Sequence, residues 1–359
     1  ALMGLCRFLY ANEITAASQI AVSSSFYGVI SGIYAEQLGS ATVQNGGLYS
    51  ASEDKGYIIE IDGIGAGKEV GQATFKWSDD DGQTWTETGV TTQTGAYEIS
   101  NGVTVQFAAG TGDDCELGDK WSWICKNNYG TQKIFDLDRD FAYRSRSLDD
   151  PNTITLTFSE AKNITALAIL DHNLSSAAVI TLMGNTSDAW DAPAYSQVIP
   201  WNPLKIGYYL DQTYRYWRVQ VSDQSNTDGY IEIGELYLGP YLEPSKNYSY
   251  GWEQSTNSFE TVQKSNTGAE KISLDYLQED FQLVFGRIPE TDIDSLLAMF
   301  REIKNEAAGT VSPVYFFPDS ASANNFFLVH MGKAFIRESN FLDQYTITLK
   351  LTEAVKSNV

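Results

Sequence analysis

The stretch IFDLDRDFAYRSRS (134–147), NTITLTFSEAKNITALAILDHNLS (152–175), YRYWRVQV (214–221) and IEIGELYLGP (231–240) decides how this chain folds. β-Branched and aromatic residues crowd each run, a composition that fits a pleated, partly buried surface. Outward from that block the same texture continues. SQIAVSSS (18–25) reads as one more strand, and YIIEIDG (57–63), QATFKWS (72–78), VTVQFAAG (103–110) and KWSWICK (120–126) follow with Gly- and Asp-rich turns at short spacing.

The chain has 359 residues, room for two or three domains, and its 43% hydrophobic content is enough to bury a core in each. Aromatics reach 13%, with 21 Tyr and 8 Trp, while helix formers are sparse outside one segment, so the fold class is mainly β. A formal net charge of −22 repels phosphate backbones, which excludes nucleic acid and anionic membrane surfaces as partners. No apolar run reaches 18 residues, and ALMGLCRFLYANEI (1–14) lacks the pattern of a secretion leader, so folding in a cytoplasm and no membrane insertion are expected. Cys6, Cys115 and Cys125 are too few for a disulfide framework; buried free thiols are expected, with a Cys115–Cys125 bridge across a hairpin as the alternative.

Gly46 to Asn127 carries 14 acids against 5 bases, all lysines, so the acidity is concentrated there. After Pro240 a polar, Tyr-rich segment (241–258) reads as a linker. KISLDYL (271–277) and FQLVFG (281–286) read as strands, and PETDIDSLLAMFREIKNEAAG (289–309) is the one convincing helix. Ile293, Leu296, Leu297, Phe300 and Ile303 recur at three and four, giving one buried stripe; Thr291 with Asp294 suits a capping box and Gly309 a stop. PVYFFPD (313–319), NNFFLVHMGKAFI (324–336) and QYTITLKLTEA (344–354) complete an α+β unit.

The strand order across 134–240 resembles discoidin-like, galactose-binding-type β-sandwiches, in particular those carried by tail proteins of tailed bacteriophages. The last unit is similar to the ring-forming domains of phage tail tube, tail completion and distal tail proteins. FDLDRDFAYRSRS (135–147) looks like a landmark that in this family follows the opening strand closely, whereas about 90 residues separate the two here. The resemblance therefore implies a discoidin-like sandwich of residues 1–44 plus 129–240, an inserted acidic all-β domain at 45–128, and an α+β ring-forming domain at 241–359 with one main helix. Insertions at exposed loops are cheap because loop-closure entropy grows only logarithmically.

What it implies about function is a structural component of a phage tail tip or baseplate, assembled in the host cytoplasm and residing in the virion tail. Its partners would be copies of itself in a ring, other tail proteins and a host surface glycan. The alternative is a carbohydrate-binding adhesin using the discoidin-like loops; an enzyme is not expected.

Individual residues add candidate sites. Trp190, Trp201, Tyr208 and Tyr209 fall in a Pro- and Gly-containing stretch where aromatic faces could stack on sugars or anchor an interface, or simply pack the sandwich edge. Asp136, Asp138 and Asp140 alternate as calcium ligands can, with neighbouring arginines as the competing partners. SDDDGQTW (78–85) matches an Asp-box turn, occurring once, with Trp85 expected to pack beneath it. His172 and His330 stand 158 positions apart with no metal-ligand spacing, and His172 in LDHNLSS is expected to satisfy backbone groups.

Overall fold

The computed structural model describes residues 4–25, 28–51, 53–148, 151–264, 270–341 and 344–356. The chain is mainly β: a discoidin-like sandwich interrupted by an all-β insertion, then sheet and helix. Contacts gather into two units. One comprises residues up to Ser24, Lys133–Ala142 and Ser147 onward; the other comprises Ser25–Gln132 and Tyr143–Arg146.

In the first unit the sandwich is organised by the 21-residue strand Asn152–His172. It runs antiparallel to Lys205–Ser222, and Val179–Asn185 and Tyr195–Ile199 extend the sheet beyond that neighbour. On its other side lie Ile20–Val22, against the first half, and Glu232–Gly239, against the second. The two halves bury differently. In NTITLTF, Ile154, Leu156 and Phe158 are buried with Thr153 and Thr157 less so, and register breaks between Thr157 and Lys162, where Ser159, Glu160 and Ala161 are exposed. Such a break lets a strand bend. Past it, Ala166 to Leu170 are buried without interruption, the pattern of a strand covered on both faces.

The second cover is the C-terminal sheet. Ala166, Ala168 and Leu170 pack against Leu9, Tyr315, Phe317, Phe326 and Leu328, the two alanines leaving room for the opposing rings. That sheet runs Arg7–Leu9, Val314–Phe317, Phe327–Met331, Gln344–Glu353, Glu270–Ile288, Glu253–Lys264, with Ile336–Phe341 also on Gln344–Glu353. The helix Glu290–Ile303 buries Ile293, Leu296, Met299 and Ile303 in the core with Phe285, Ile347 and Leu349. Leu297 and Phe300 are only half-buried, and Met299 belongs to the stripe instead.

The start of this helix departs from expectation. Its N-cap is Pro289, with no side-chain cap bond, and the Asp292 carboxylate accepts from both the backbone and hydroxyl of Ser245. Gly309 has the positive φ of a turn residue but lies beyond Lys304, which ends the helix. Nor is 241–258 a linker. Tyr248 is buried against Trp252 and Phe285, and Glu253–Lys264 is a 12-residue strand.

The inserted unit holds two sheets. One orders Thr42–Gly47, Val103–Ala108 and Tyr97–Ser100; the other sets Val29–Ile30 and Tyr34–Glu36 on Lys120–Lys126, followed by Lys55–Gly63, Thr74–Ser78 and Glu87–Thr91. Period-2 alternation sends Tyr57, Ile59 and Ile61, Val103, Val105 and Phe107, and Trp121, Trp123 and Cys125 into one core. Of the span 25–44, expected in the sandwich, Val29–Ile30, Tyr34–Glu36 and the start of Thr42–Gly47 thus pair here, because they complete sheets whose other members are acidic-block strands. Part of the acidity is structural: buried Asp119 accepts the Leu38 amide at 2.7 Å and the Glu116 amide at 2.8 Å, and buried Asp114 accepts that of Gly110 at 2.7 Å. All three cysteines are free and buried, and burial pushes the Cys115 and Cys125 thiols up to about 11.

Candidate functional site

The four aromatics singled out between 190 and 209 occupy separate environments. Trp190 is half-buried; its indole N–H donates to Asp188 at 2.6 Å, and the Arg218 guanidinium sits 4.3 Å over its ring. Arg218 in turn donates to Thr155 Oγ1 at 2.9 Å, and burial pulls its pKa down. Thr155, Arg218 and Met183 are register partners on adjacent strands, so the Trp190–Arg218 pair lies over the outward face of the sandwich sheet.

Trp201 serves a loop end. Its N–H donates to the Leu174 carbonyl at 3.0 Å, His172 Nε2 lies 3.0 Å from the Asn202 carbonyl, and His172 Nδ1 accepts the Leu174 amide at 3.2 Å. Those two contacts fix a neutral imidazole with the proton on Nε2, and burial lowers its pKa accordingly. The same end is tied by Asp223, which accepts the Ser175 amide and hydroxyl, and by Asn226, which donates to the Asn173 carbonyl.

Tyr208 and Tyr209 are neighbours on one strand and so face opposite ways. Tyr208 lies beside Tyr195, whose ring is 6.1 Å from that of Trp217. Tyr209 packs between Tyr241 and Phe317 under the Arg7 guanidinium, 4.0 Å from its ring, and so belongs to the packed core between sandwich and C-terminal sheet rather than to a loop surface.

Of the alternating aspartates, Asp136 accepts from Lys133 Nζ at 2.8 Å, and Asp136 and Asp138 each accept the amide two residues on at 3.1 Å. Arg139 turns away to a two-pronged pair with Asp171, at 2.7 and 2.9 Å. No group of three or more His, Cys, Asp or Glu side chains placed to hold a metal ion occurs among the described residues. Asp138 and Asp140 instead line a groove of about 360 Å³ together with Gln278, His330 and Glu353.

The Asp-box segment is a closed turn. Ser78 Oγ accepts the amides of Asp80 and Gly82, Asp80 accepts the amide and hydroxyl of Thr84, and Gly82 takes φ +80°. The Ser78 hydroxyl, donating to Asp80 at 2.6 Å, and then the Thr84 donors hold the Asp80 carboxyl down at about 2. Trp85 does not pack beneath it: the ring is 36% exposed and stacks under Lys76 Nζ at 4.1 Å.

Sequence reasoning missed an exposed apolar ribbon. Glu270–Ile288 pairs with Gln344–Glu353 only from Asp280 on; its earlier half pairs solely with Glu253–Lys264 among the described residues, forming a two-stranded ribbon. Phe259, Val262, Ile272, Leu274 and Leu277 on it are 40–59% exposed. Phe259 stacks on Tyr276 at 4.5 Å, and Val262 lies opposite Ile272. The ribbon's root borders a polar groove of about 280 Å³ lined by Glu253, Ser255, Asp280, Gln282, Lys350 and Thr352. Alternation in TVQKS and KISLDYL marked strands, but nothing local in those residues says that no layer covers them.

No protein-family model matches the chain, and no curated protein matches it. Among solved structures it is similar to CpGH89CBM32-6 produced by Clostridium perfringens, at 13% identity over 30% of this chain and 82% of that one, with a TM-score of 0.24. A chitosan-binding module from a Paenibacillus sp. IK-5 chitosanase/glucanase aligns at 13% identity over 31% and 84%, TM-score 0.25. CpGH89CBM32-5 from Clostridium perfringens, solved with GalNAc-β-1,3-galactose, aligns at 12% identity over 32% and 86%, TM-score 0.26. Each of these overlaps covers about a third of this chain.

Proposed function

We propose that this chain is a non-catalytic binding and assembly protein, a structural component of a phage tail tip or baseplate that forms homo-oligomers and displays its sandwich to other molecules. The observation carrying this reading is the exposed apolar ribbon. An isolated two-stranded ribbon is marginal in water, and an uncovered apolar edge strand invites pairing with another chain. Each exposed side chain on it is roughly half covered already, so completing burial contributes about 1 kcal/mol apiece, enough in sum to favour association. The net charge of −22 keeps separate copies soluble until contacts of this kind form. Light scattering across a concentration series tests the reading: oligomers growing with concentration, and copies located at the tail by electron microscopy of particles, are expected. A strict monomer at the highest attainable concentration overturns it.

Carbohydrate binding is the second reading, favoured by Trp190. A half-buried indole held by Asp188 and backed by Arg218 on an open sheet face is a preorganised stacking platform for a sugar ring. Binding on a glycan array that disappears with Trp190→Ala, while Trp201→Ala chiefly lowers stability, is the expected result. Retained binding in the Trp190 variant removes this surface from consideration.

A further inference from the structure

Besides the short strand Arg7–Leu9, which is bridged by Leu242, the described part of the C-terminal sheet has two open edges, on opposite sides of its Glu270–Ile288/Gln344–Glu353 pair. Glu253–Lys264 is one, paired only with Glu270–Ile288 among the described residues; Ile336–Phe341 is the other, paired only with Gln344–Glu353. Residues Ile336 to Ser339 are all exposed, Ile336 at 52%. Natural sheets protect such edges with Pro, inward Lys or very short strands. Neither edge here contains Pro, and Gln254–Phe259 is six residues without a charge in a chain that is 19% charged.

The two edges also differ in charge balance. Glu253, Glu260, Glu270 and Asp275 outnumber Lys264 and Lys271 on the ribbon, whereas Lys333 and Arg337 offset Glu338 and Glu290 at the other edge. Arg337 bonds Glu290 at 3.1 Å, which holds its guanidinium at that rim. In a strongly acidic chain, two copies meeting ribbon to ribbon would juxtapose carboxylates. A ribbon meeting the Ile336 edge would set Lys333 and Arg337 beside them, with Glu338 as the one carboxylate on that strand.

We propose that copies of this chain associate head to tail, the Glu253–Lys264 strand of one pairing with the Ile336–Phe341 strand of the next, with Phe259 brought against Ile336 on one face of the joined sheet and Val262 covered on the other. The contact is heterologous, so it propagates into a closed ring or an open filament rather than stopping at a two-fold dimer. This rests on the assembly reading above and names the partner surface that reading leaves open.

Complementary blocking tests it. One variant carries Phe259→Lys and Val262→Lys, which puts a charge on each face of the ribbon's edge strand where an apolar contact is proposed; a second carries Ile336→Glu. Each retains one intact edge. Each alone is expected to be monomeric by light scattering at concentrations where the wild type is oligomeric, and an equimolar mixture is expected to give a 1:1 dimer that goes no further. If the Ile336→Glu protein oligomerises like wild type, the partner strand is wrong; if the ribbon double variant does, the ribbon is not the interface. Either result overturns the head-to-tail contact and leaves the assembly reading standing, whereas a wild type that is monomeric throughout removes both. The substituted sites are at least 40% exposed, and melting temperatures check the fold; should the charged versions melt early, Phe259→Ser and Ile336→Ser carry the same comparison.

Discussion

Asn152–His172 and Glu270–Ile288 are strands of similar length, 21 and 19 residues, and each has one half rich in apolar side chains beyond its point of bending or divergence. In the first, Ala166 to Leu170 are sealed on both faces; in the second, Ile272, Leu274 and Leu277 face solvent. The residue types are alike. What differs is whether a second layer arrives, and small alanines at 166 and 168 are what let aromatic neighbours come close enough to provide one. Apolar content therefore reports a demand for cover, and the ribbon is where the monomer leaves that demand unmet.

The largest test of this contrast replaces one phenylalanine on each side. Phe317 is fully buried, 4.8 Å from Phe326 and 5.6 Å from Tyr209. Phe317→Ala should cost about 3–5 kcal/mol by urea unfolding at low protein concentration, against less than about 1 kcal/mol for Phe259→Ala. Equal costs would mean that the ribbon is covered in the free chain, and the distinction between the two regions would collapse. At high concentration the ranking should shift, because Phe259→Ala would then also weaken association.

How far the sequence announced these differences depends on the range over which each is decided. Alternation in YIIEIDG and KWSWICK was legible because one-sided burial is written into every second residue, and the Asp-box turn because its bonds close within seven positions. The helix was legible by periodicity, though its start was not: the chain turns helical after Pro289, which leaves Thr291, expected as the cap, inside the first turn. Residues 25–44 and the segment around Tyr248 were misassigned because their partners are set by pairing across long separations. Tyr208 and Tyr209 could be given opposite faces by strand geometry alone, but which face meets a second sheet is a tertiary fact. The carboxylate spacing at Asp136, Asp138 and Asp140 could not reveal that Lys133 claims the first of them.

A second test exploits what complete cover does to a charge. Glu235 is fully buried, and burial, reinforced by the field of Asp136, pushes its pKa up to about 9. The folded state thus holds a proton that the unfolded chain releases above its ordinary value of 4.5. Stability is greatest below that value and falls as pH rises toward the folded pKa, by roughly 4 kcal/mol between about pH 5 and pH 8 if this group acts alone. Glu235→Gln should flatten that slope in denaturant unfolding measured across the range. An unchanged slope would show that water or a partner reaches the carboxyl, and that the covered region is less sealed than its neighbours.

The smallest effect belongs to the exposed counterpart of Glu235. Asp80 is held down at about 2 by hydrogen bonds from Ser78 and Thr84, in a turn open to solvent. The sign is opposite: a depressed folded pKa gives stability that is present above the ordinary carboxylate value and is lost as pH falls through the folded one. Because water screens the site, Asp80→Asn should leave global unfolding nearly unchanged and act locally, speeding hydrogen exchange at the Thr84 amide, which donates to Asp80 at 2.9 Å. A large global loss would instead make the turn part of the insertion's core. A carboxyl can thus be pulled up by cover or down by donors, and only the first ties its proton to the stability of the whole sheet.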